Sequence, residues 1–188
     1  SQLASSMDKQ QVIQRLFHIA SLYYIMGTSI PRMNAIQTIT EALKMTQRVL
    51  MQDPSHMEAR TLLDACIHEL ANLERKRENY EHAVQVLKNR LTIDDNLQTH
   101  IALCENYIDM NEFTECIRHV KGTLENVKND ELESTLYAIL AKSLKTKGEP
   151  REKYMKLFEK SLLKSPNNAY SWMVILLKNH INNYLEFS

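Results

Sequence analysis

Three residues with the chemistry of metal ligands or nucleophiles lie close together in the sequence, namely His100, Cys104 and Cys116. Each can bind a soft metal ion, and a thiol can also act as a nucleophile or a redox group. A structural zinc site needs four ligands, however, and no fourth ligand accompanies these three. We therefore interpret both cysteines as small packing residues, with a redox or metal role as the alternative.

Two other patterns that accompany catalysis are incomplete. His68 and Glu69 begin like the zinc-binding HExxH sequence, but Asn72 stands where the second histidine is needed. With only three glycines in the chain, no glycine-rich phosphate loop can be built, and no stretch resembles the turn that carries a nucleophilic serine. We predict no catalytic residue, no cofactor and no metal. An enzyme would need a pocket that the sequence does not indicate.

Composition predicts a soluble intracellular protein, cytoplasmic or nuclear. Of 188 residues, 44% are apolar, and 23 basic residues balance 23 acidic ones, so no overall field attracts nucleic acid or an anionic membrane. The longest apolar run, WMVILL, is far shorter than the roughly 20 residues of a membrane-spanning helix. The N terminus has no apolar signal core, and three cysteines without a CxxC pair argue against a secreted disulfide framework.

Apolar residues recur at spacings of three and four along most of the chain, and only three glycines and four prolines interrupt them. This periodicity predicts helices and no convincing strand. The helices fall into four pairs followed by the start of a fifth. The predicted repeats are 13–54, 57–95, 97–130 and 134–168, with a partial repeat over 169–188 and a tail over 1–7.

Small and aromatic residues occupy fixed positions in these pairs. In the third repeat, numbered from Leu97, Leu103 is at position 7, Cys104 at 8, Tyr107 at 11 and Cys116 at 20. This pattern resembles the tetratricopeptide repeat, a helical hairpin of 34 residues. The resemblance implies an all-α fold, a right-handed α–α superhelix of antiparallel helix hairpins that forms a single solenoid over residues 8–188.

Positions 8 and 20 are where the two helices of a hairpin cross, and a large side chain there would push the backbones apart. The residues at these positions are Ala20 and Ala42, Ala71 and Ala83, Cys104 and Cys116, and Ala141 and Ser161. Since alanine occupies most of these positions, the two cysteines are expected to have the same packing role.

Two repeats depart from the regular length. The second contains seven additional residues, which is about two helical turns, so we predict a longer first helix whose faces remain aligned. In the first, the residues TSIPRMNAIQ separate Gly27, a predicted helix break, from the second helix, and Pro31 suits the first turn of that helix. An irregular solenoid is the plain interpretation, and a docking ridge made by the two long helices is the alternative.

The first helices of such repeats line a concave surface that binds peptides or helices. The resemblance therefore implies a partner-binding face made of Phe17, Tyr24, His68, Asn72, Arg75, Lys76, Ile101, Glu105, Lys142 and Lys145. An ordinary solvated face is the alternative. The implied function is a non-catalytic scaffold or adaptor that binds a peptide or helix of a partner protein. A helical-repeat RNA-binding protein is the competing hypothesis, which the neutral charge disfavours.

Repeats that bind the C-terminal carboxylate of chaperones resemble one another in having a Lys and an Asn at two fixed positions. In the first repeat here, these positions are occupied by Phe17 and Ser21. We therefore predict that no such carboxylate is bound. Residues 169–188 raise a different question, because their predicted helix is apolar on all sides over residues 172–177.

In that helix, Trp172 is expected to pack on the fourth hairpin together with Ile175 and Leu176, whereas Met173, Val174 and Leu177 point elsewhere. A terminal capping helix has a polar outer face. Either a longer solenoid continues through 169–188, or two chains form a homodimer there, or a partner covers the helix. Shielding by loop and tail residues is the remaining alternative.

Overall fold

The computed structural model describes residues 2–30, 34–93 and 96–173. In these ranges the chain is helical without a strand, and most helices adjacent in sequence pack against each other, which confirms the predicted all-α fold. The helices group into an N-terminal unit (Ser1–Ile93) and a C-terminal unit (Asp94–Ser188). A single solenoid over 8–188 stays a prediction.

The N-terminal unit contains two hairpins. Its helices are α1 (Gln2–Ser29), α2 (Ala35–Gln52), α3 (Met57–Lys76) and α4 (Tyr80–Leu91). Residues 2–7, expected to be a tail, form the first turns of α1, since this segment contains neither proline nor glycine and continues the helix that follows.

The C-terminal unit also contains two hairpins. Its helices are α5 (Leu97–Asp109), α6 (Phe113–Leu124), α7 (Asp130–Thr146) and α8 (Arg151–Lys164), and residues 169–173 begin a further helical segment. With 20 residues, α3 is longer than the 13-residue α5 by the seven residues that the sequence indicated. In the described part of the chain, no helix is both long and apolar enough to cross a membrane.

Asparagine side chains fix the starts of several helices. The Oδ1 atom of Asn96 accepts a hydrogen bond from the backbone N–H of Thr99 at 3.0 Å, and Asn129 does the same for Leu132 at 2.8 Å. Such caps satisfy backbone donors that have no partner inside the helix. The first helices of the C-terminal unit therefore begin at defined residues.

The turns inside three hairpins use the left-handed backbone conformation. Glu78, Asn111 and Gly148 have φ angles of 62°, 60° and 87°, each directly before the second helix of its hairpin. Glycine adopts this conformation without strain, asparagine tolerates it, and other L-residues pay a steric cost. Glu78 is thus the strained member of the three.

The small residues that were predicted to lie at the helix crossings are buried. All eight side chains at positions 8 and 20 are buried, with exposures between 0 and 2%. At the crossing of α5 and α6, the thiols of Cys104 and Cys116 are hydrogen-bonded to each other. Both cysteines therefore fill the space between two backbones, where other hairpins have alanine.

Gly27 is not the helix break that the sequence suggested. It lies inside α1 and is buried, and a Cβ atom added to it would be 2.7 Å from Cδ1 of Ile39 in α2. Glycine is needed here because the two helices approach closely, and the helix ends two residues later. Pro31 lies outside the described residues.

A buried network of hydroxyl groups attaches residues 168–171 to the last hairpin. Ser161 Oγ donates to the Ser134 carbonyl at 2.6 Å and lies 2.5 Å from Ser171 Oγ. The amide of Asn168 donates to Ser134 Oγ at 2.9 Å and to Thr135 Oγ1 at 2.8 Å. All five residues are buried, so the start of the next helical segment is held by polar contacts in a dry interior.

Trp172 does not pack into the fourth hairpin as expected. It is 45% exposed, and its indole N–H donates to the carbonyl of Pro166 at 2.8 Å. Ser171 takes the buried place instead, because the hydroxyl network fixes the rotation of this segment. Met173 is 48% exposed, and Val174, Ile175, Leu176 and Leu177 lie outside the described residues.

The left-handed turns give a paired prediction. Glu78→Gly should raise the free energy of unfolding by about 0.5–1 kcal/mol, because relief of backbone strain exceeds the added entropy of the unfolded chain. Gly148→Ala should lower it by about 1 kcal/mol. Urea denaturation measures both, and a loss of stability in Glu78→Gly would contradict this assignment.

The crossings give a second prediction. Cys104→Leu should destabilise the protein by about 1–3 kcal/mol through overpacking, whereas Cys104→Ala should cost about 1 kcal/mol or less, since alanine fills equivalent crossings. Thermal or urea denaturation compares the two variants. Equal stability of the leucine variant and the native protein would show that the helices are not in close contact there.

Candidate functional site

The predicted binding residues of the N-terminal unit lie on α1 and α3, which contact each other. The ring of Phe17 lies 4.9 Å from the ring of His56 at an angle of 39°, and Phe17 is half-buried. Burial, together with the nearby Glu69 carboxylate, raises the pKa of Tyr24. Both aromatic residues therefore belong to the face of α1 that is directed towards α3 and its N-cap residue His56.

The predicted residues of α3 differ in accessibility. Asn72 and Lys76 are exposed, whereas Arg75 and His68 are half-buried. Burial lowers the pKa of the His68 imidazole, although the nearby Asp64 carboxylate opposes this effect. Asn72 and Lys76 are thus the members of this set that are most accessible to a partner.

An ion pair that the sequence did not indicate lies beside His68. Nε of Arg90 in α4 donates to Oδ1 of Asp64 in α3 at 2.5 Å, and the Arg90 side chain is only 5% exposed. Arg90 stands in the last turn of α4 directly after Lys88 and Asn89, so its sequence neighbours did not mark it as internal. The pair ties the two helices of this hairpin together.

In the C-terminal unit, two predicted binding residues bind each other. Nζ of Lys142 lies 2.5 and 2.6 Å from the two carboxylate oxygens of Glu105, and the hydroxyl of Tyr170 donates to Oε1 of Glu105 at 2.7 Å. Burial and the Glu105 charge raise the pKa of Tyr170. The first helices of the two hairpins, α5 and α7, are therefore joined to the segment that follows α8, and neither charge is left free for a partner.

A signal for this contact was present in the sequence. Glu105 and Lys142 both occupy position 9 of their repeats, and Tyr170 occupies position 2 of the next one. Equivalent positions of neighbouring first helices face the same side, so opposite charges there predict a pair. The remaining predicted residues of this unit, Ile101 and Lys145, are half-buried.

The thiols and the nearby histidines are arranged as two separate pairs. Nδ1 of His100 lies 2.9 Å from Nε2 of His119, while the free thiols of Cys104 and Cys116 are hydrogen-bonded to each other. That hydrogen bond and burial raise the pKa of Cys104, and burial raises the pKa of Cys66 to about 12. In the ranges that the structure describes, no three His, Cys, Asp or Glu side chains are grouped to hold a metal ion.

A groove of about 440 Å³ lies between α1 and the turn that precedes α3. It is lined by Gln10, Gln14 and Phe17 from α1 and by Asp53, Ser55, His56, Met57 and Glu58. Nδ1 of His56 accepts a hydrogen bond from the Ala59 amide at 3.3 Å and so caps α3. Apart from Phe17, the sequence did not indicate these residues, because the α2–α3 turn and α1 are about 40 positions apart in the chain.

The Glu105 contact gives a third prediction. Lys142→Glu should destabilise the protein by about 2 kcal/mol or more, because it places two carboxylates together, and Tyr170→Phe should cost about 1–2 kcal/mol. Lys156→Glu, an exposed position on α8, is the matched control and should change stability by less than about 0.5 kcal/mol. If Lys142→Glu were as neutral as the control in urea denaturation, the ion pair would not exist in solution.

Comparisons with known proteins give a structural likeness and no sequence family. No protein-family model matches this chain, and no curated protein matches it. A solved structure described as MamA AMB-1 is 16% identical, with 92% of this chain and 91% of that chain covered and a TM-score of 0.46.

Proposed function

We propose that this chain is a non-catalytic scaffold that binds a peptide or helix of a partner protein, at a cytoplasmic or nuclear location. The observation that carries the proposal is the α1–α3 face of the N-terminal unit, where Phe17 and Tyr24 on α1 are partly exposed and the polar residues Asn72 and Lys76 on α3 are accessible. Partly exposed aromatic residues next to polar groups are typical of binding hot spots.

The predicted binding residues of the C-terminal unit are less available to a partner. Glu105 and Lys142 compensate each other, and Tyr170 also donates to Glu105. A partner would have to break this pair before using either charge, and the cost of leaving a charge uncompensated would offset the gain. We therefore place the principal contact on α1 and α3, with Arg75 and His68 at its border.

The helical hairpins support this proposal because their packing leaves side chains of the first helices available to a partner. Each hairpin uses its small residues for internal packing, so the side chains of the first helices that face away from the crossing are free of that task. These side chains include aromatic, amide and basic types, which can recognise a peptide by combined apolar and polar contacts.

The test is a double substitution on α3 with a matched control on α2. Asn72→Ala with Lys76→Glu should lower the amount of captured partner protein about fivefold or more, without a change in stability. Arg48→Glu changes an exposed charge on α2 and should leave capture unaffected.

Quantitative mass spectrometry of proteins bound to the immobilised chain measures this effect. Equal capture by the double variant and the native chain would contradict partner binding at the α1–α3 face. Salt-dependent retention of RNA in a filter-binding assay, without a specific protein partner, would favour the helical-repeat RNA-binding alternative instead.

A further inference from the structure

We propose that the groove between α1 and the α2–α3 turn receives a cationic side chain, an arginine or a lysine, of the partner protein. This inference deepens the proposed function and rests on it, because the groove lies on the same side of α1 as Phe17. It assigns a specific chemistry to one part of the binding surface.

The charge of the groove favours a cation. Asp53 and Glu58 line it together with His56, whose Nδ1 atom lies 3.2 Å from Oε2 of Glu58, and none of the lining residues is a lysine or an arginine. The N-terminus of α3 carries roughly half a positive charge, which is smaller than the two negative charges of the carboxylates. The groove therefore presents a net negative field to an incoming side chain.

Asp53 is held in its ionised form at the edge of this groove. The Ser55 hydroxyl donates to Asp53 Oδ1 at 2.6 Å, and the Ser55 backbone N–H donates to the same oxygen at 3.1 Å. The hydroxyl bond is the main reason why the pKa of Asp53 is lowered. Its carboxylate is thus both fixed in position and charged at neutral pH.

The other lining groups suit the apolar stem and the N–H donors of the same side chain. Phe17 offers an aromatic ring, and Met57 is 69% exposed beside it, so a chain of methylene groups has apolar surface to cover. The Gln14 amide lies 3.2 Å from Nε2 of His18, and the amides of Gln10 and Gln14 provide carbonyl acceptors for a guanidinium or an ammonium group.

Lys9 competes with such a ligand. It does not line the groove, but its charge contributes to the lowered pKa of Asp53, so it lies close enough to screen that carboxylate. A bound cation would have to share Asp53 with Lys9. Removal of the lysine charge should therefore strengthen binding, while removal of the carboxylate charges should weaken it.

The experiment titrates the folded chain with N-acetyl-arginine methylamide and follows backbone amide NMR signals. We expect saturable shifts at residues 55–58 and at Gln10 and Gln14, with an affinity of about millimolar. The neutral apolar control is N-acetyl-norleucine methylamide, and the control of opposite charge is N-acetyl-glutamate methylamide. Neither control probe should give saturable shifts at these residues.

Three variants test the charge argument. Asp53→Asn with Glu58→Gln keeps the side-chain shapes and one acceptor oxygen on each side chain, and it should weaken binding of the arginine probe about fivefold. Lys9→Gln should tighten binding about twofold. Glu152→Gln, which removes an exposed carboxylate from the first turn of α8, is the matched control and should leave the affinity unchanged.

Several results would overturn the proposal. These are an absence of shifts at about 50 mM arginine probe, equal shifts with the norleucine probe, and an unchanged affinity after both carboxylates are neutralised. Such results leave the proposed function standing if the Asn72→Ala, Lys76→Glu variant still loses its partner. Conversely, arginine binding without any loss of partner in that variant counts against the scaffold surface and not against the groove.

Discussion

The close contact of small residues at each helix crossing is the constraint on which the rest of this structure depends. Helices in ordinary packing are about 8–10 Å apart, and residues such as Ala20 and Ala42 let the backbones meet without displacing the neighbouring side chains. Because the crossing fixes the rotation of each helix, it also decides which side chains face the adjacent first helix. Cys104 and Cys116 act in the same way. Neither has any solvent exposure, which suits a free cysteine because it behaves as a small hydrophobic side chain.

The same rotation explains how the two units use their polar residues differently. In the C-terminal unit, Glu105 and Lys142 stand at equivalent positions, so fixed crossings bring opposite charges together and Tyr170 completes the contact. A partly buried pair of this kind contributes mainly to the alignment of its helices, since desolvation offsets much of the attraction. In the N-terminal unit, Asn72 and Lys76 remain exposed on α3. The residues of the predicted partner-binding face are thus of two kinds. Some bind each other within the protein, and others are accessible to a partner.

Sequence periodicity predicted the features that depend on local spacing. The helices, the crossing positions and the seven additional residues of α3 follow from which residues recur every three or four places. Sequence periodicity failed for a residue type that has two different structural roles. Gly27 was interpreted as a break, yet glycine equally suits a close helix contact, and only the position of Ile39 distinguishes the two. The groove near Asp53 could not be predicted, because it joins segments distant in the chain. Trp172 was misplaced because hydrophobicity alone ignores the polar contacts that orient its segment.

Those polar contacts show how a single crossing residue can specify what packs next. Ser161 stands where most hairpins have alanine, and its hydroxyl would be costly to bury without partners. It finds the Ser134 carbonyl within its own hairpin and Ser171 Oγ in the following segment. Asn168 completes the arrangement, since its side chain caps the new segment through the Ser171 amide and also bonds Ser134. An alanine crossing would accept any apolar cover, whereas this serine crossing requires a segment that offers hydroxyl and amide groups at matching positions. The interior of the last hairpin therefore selects residues 168–171 by hydrogen bonding and leaves the larger Trp172 side chain at the surface.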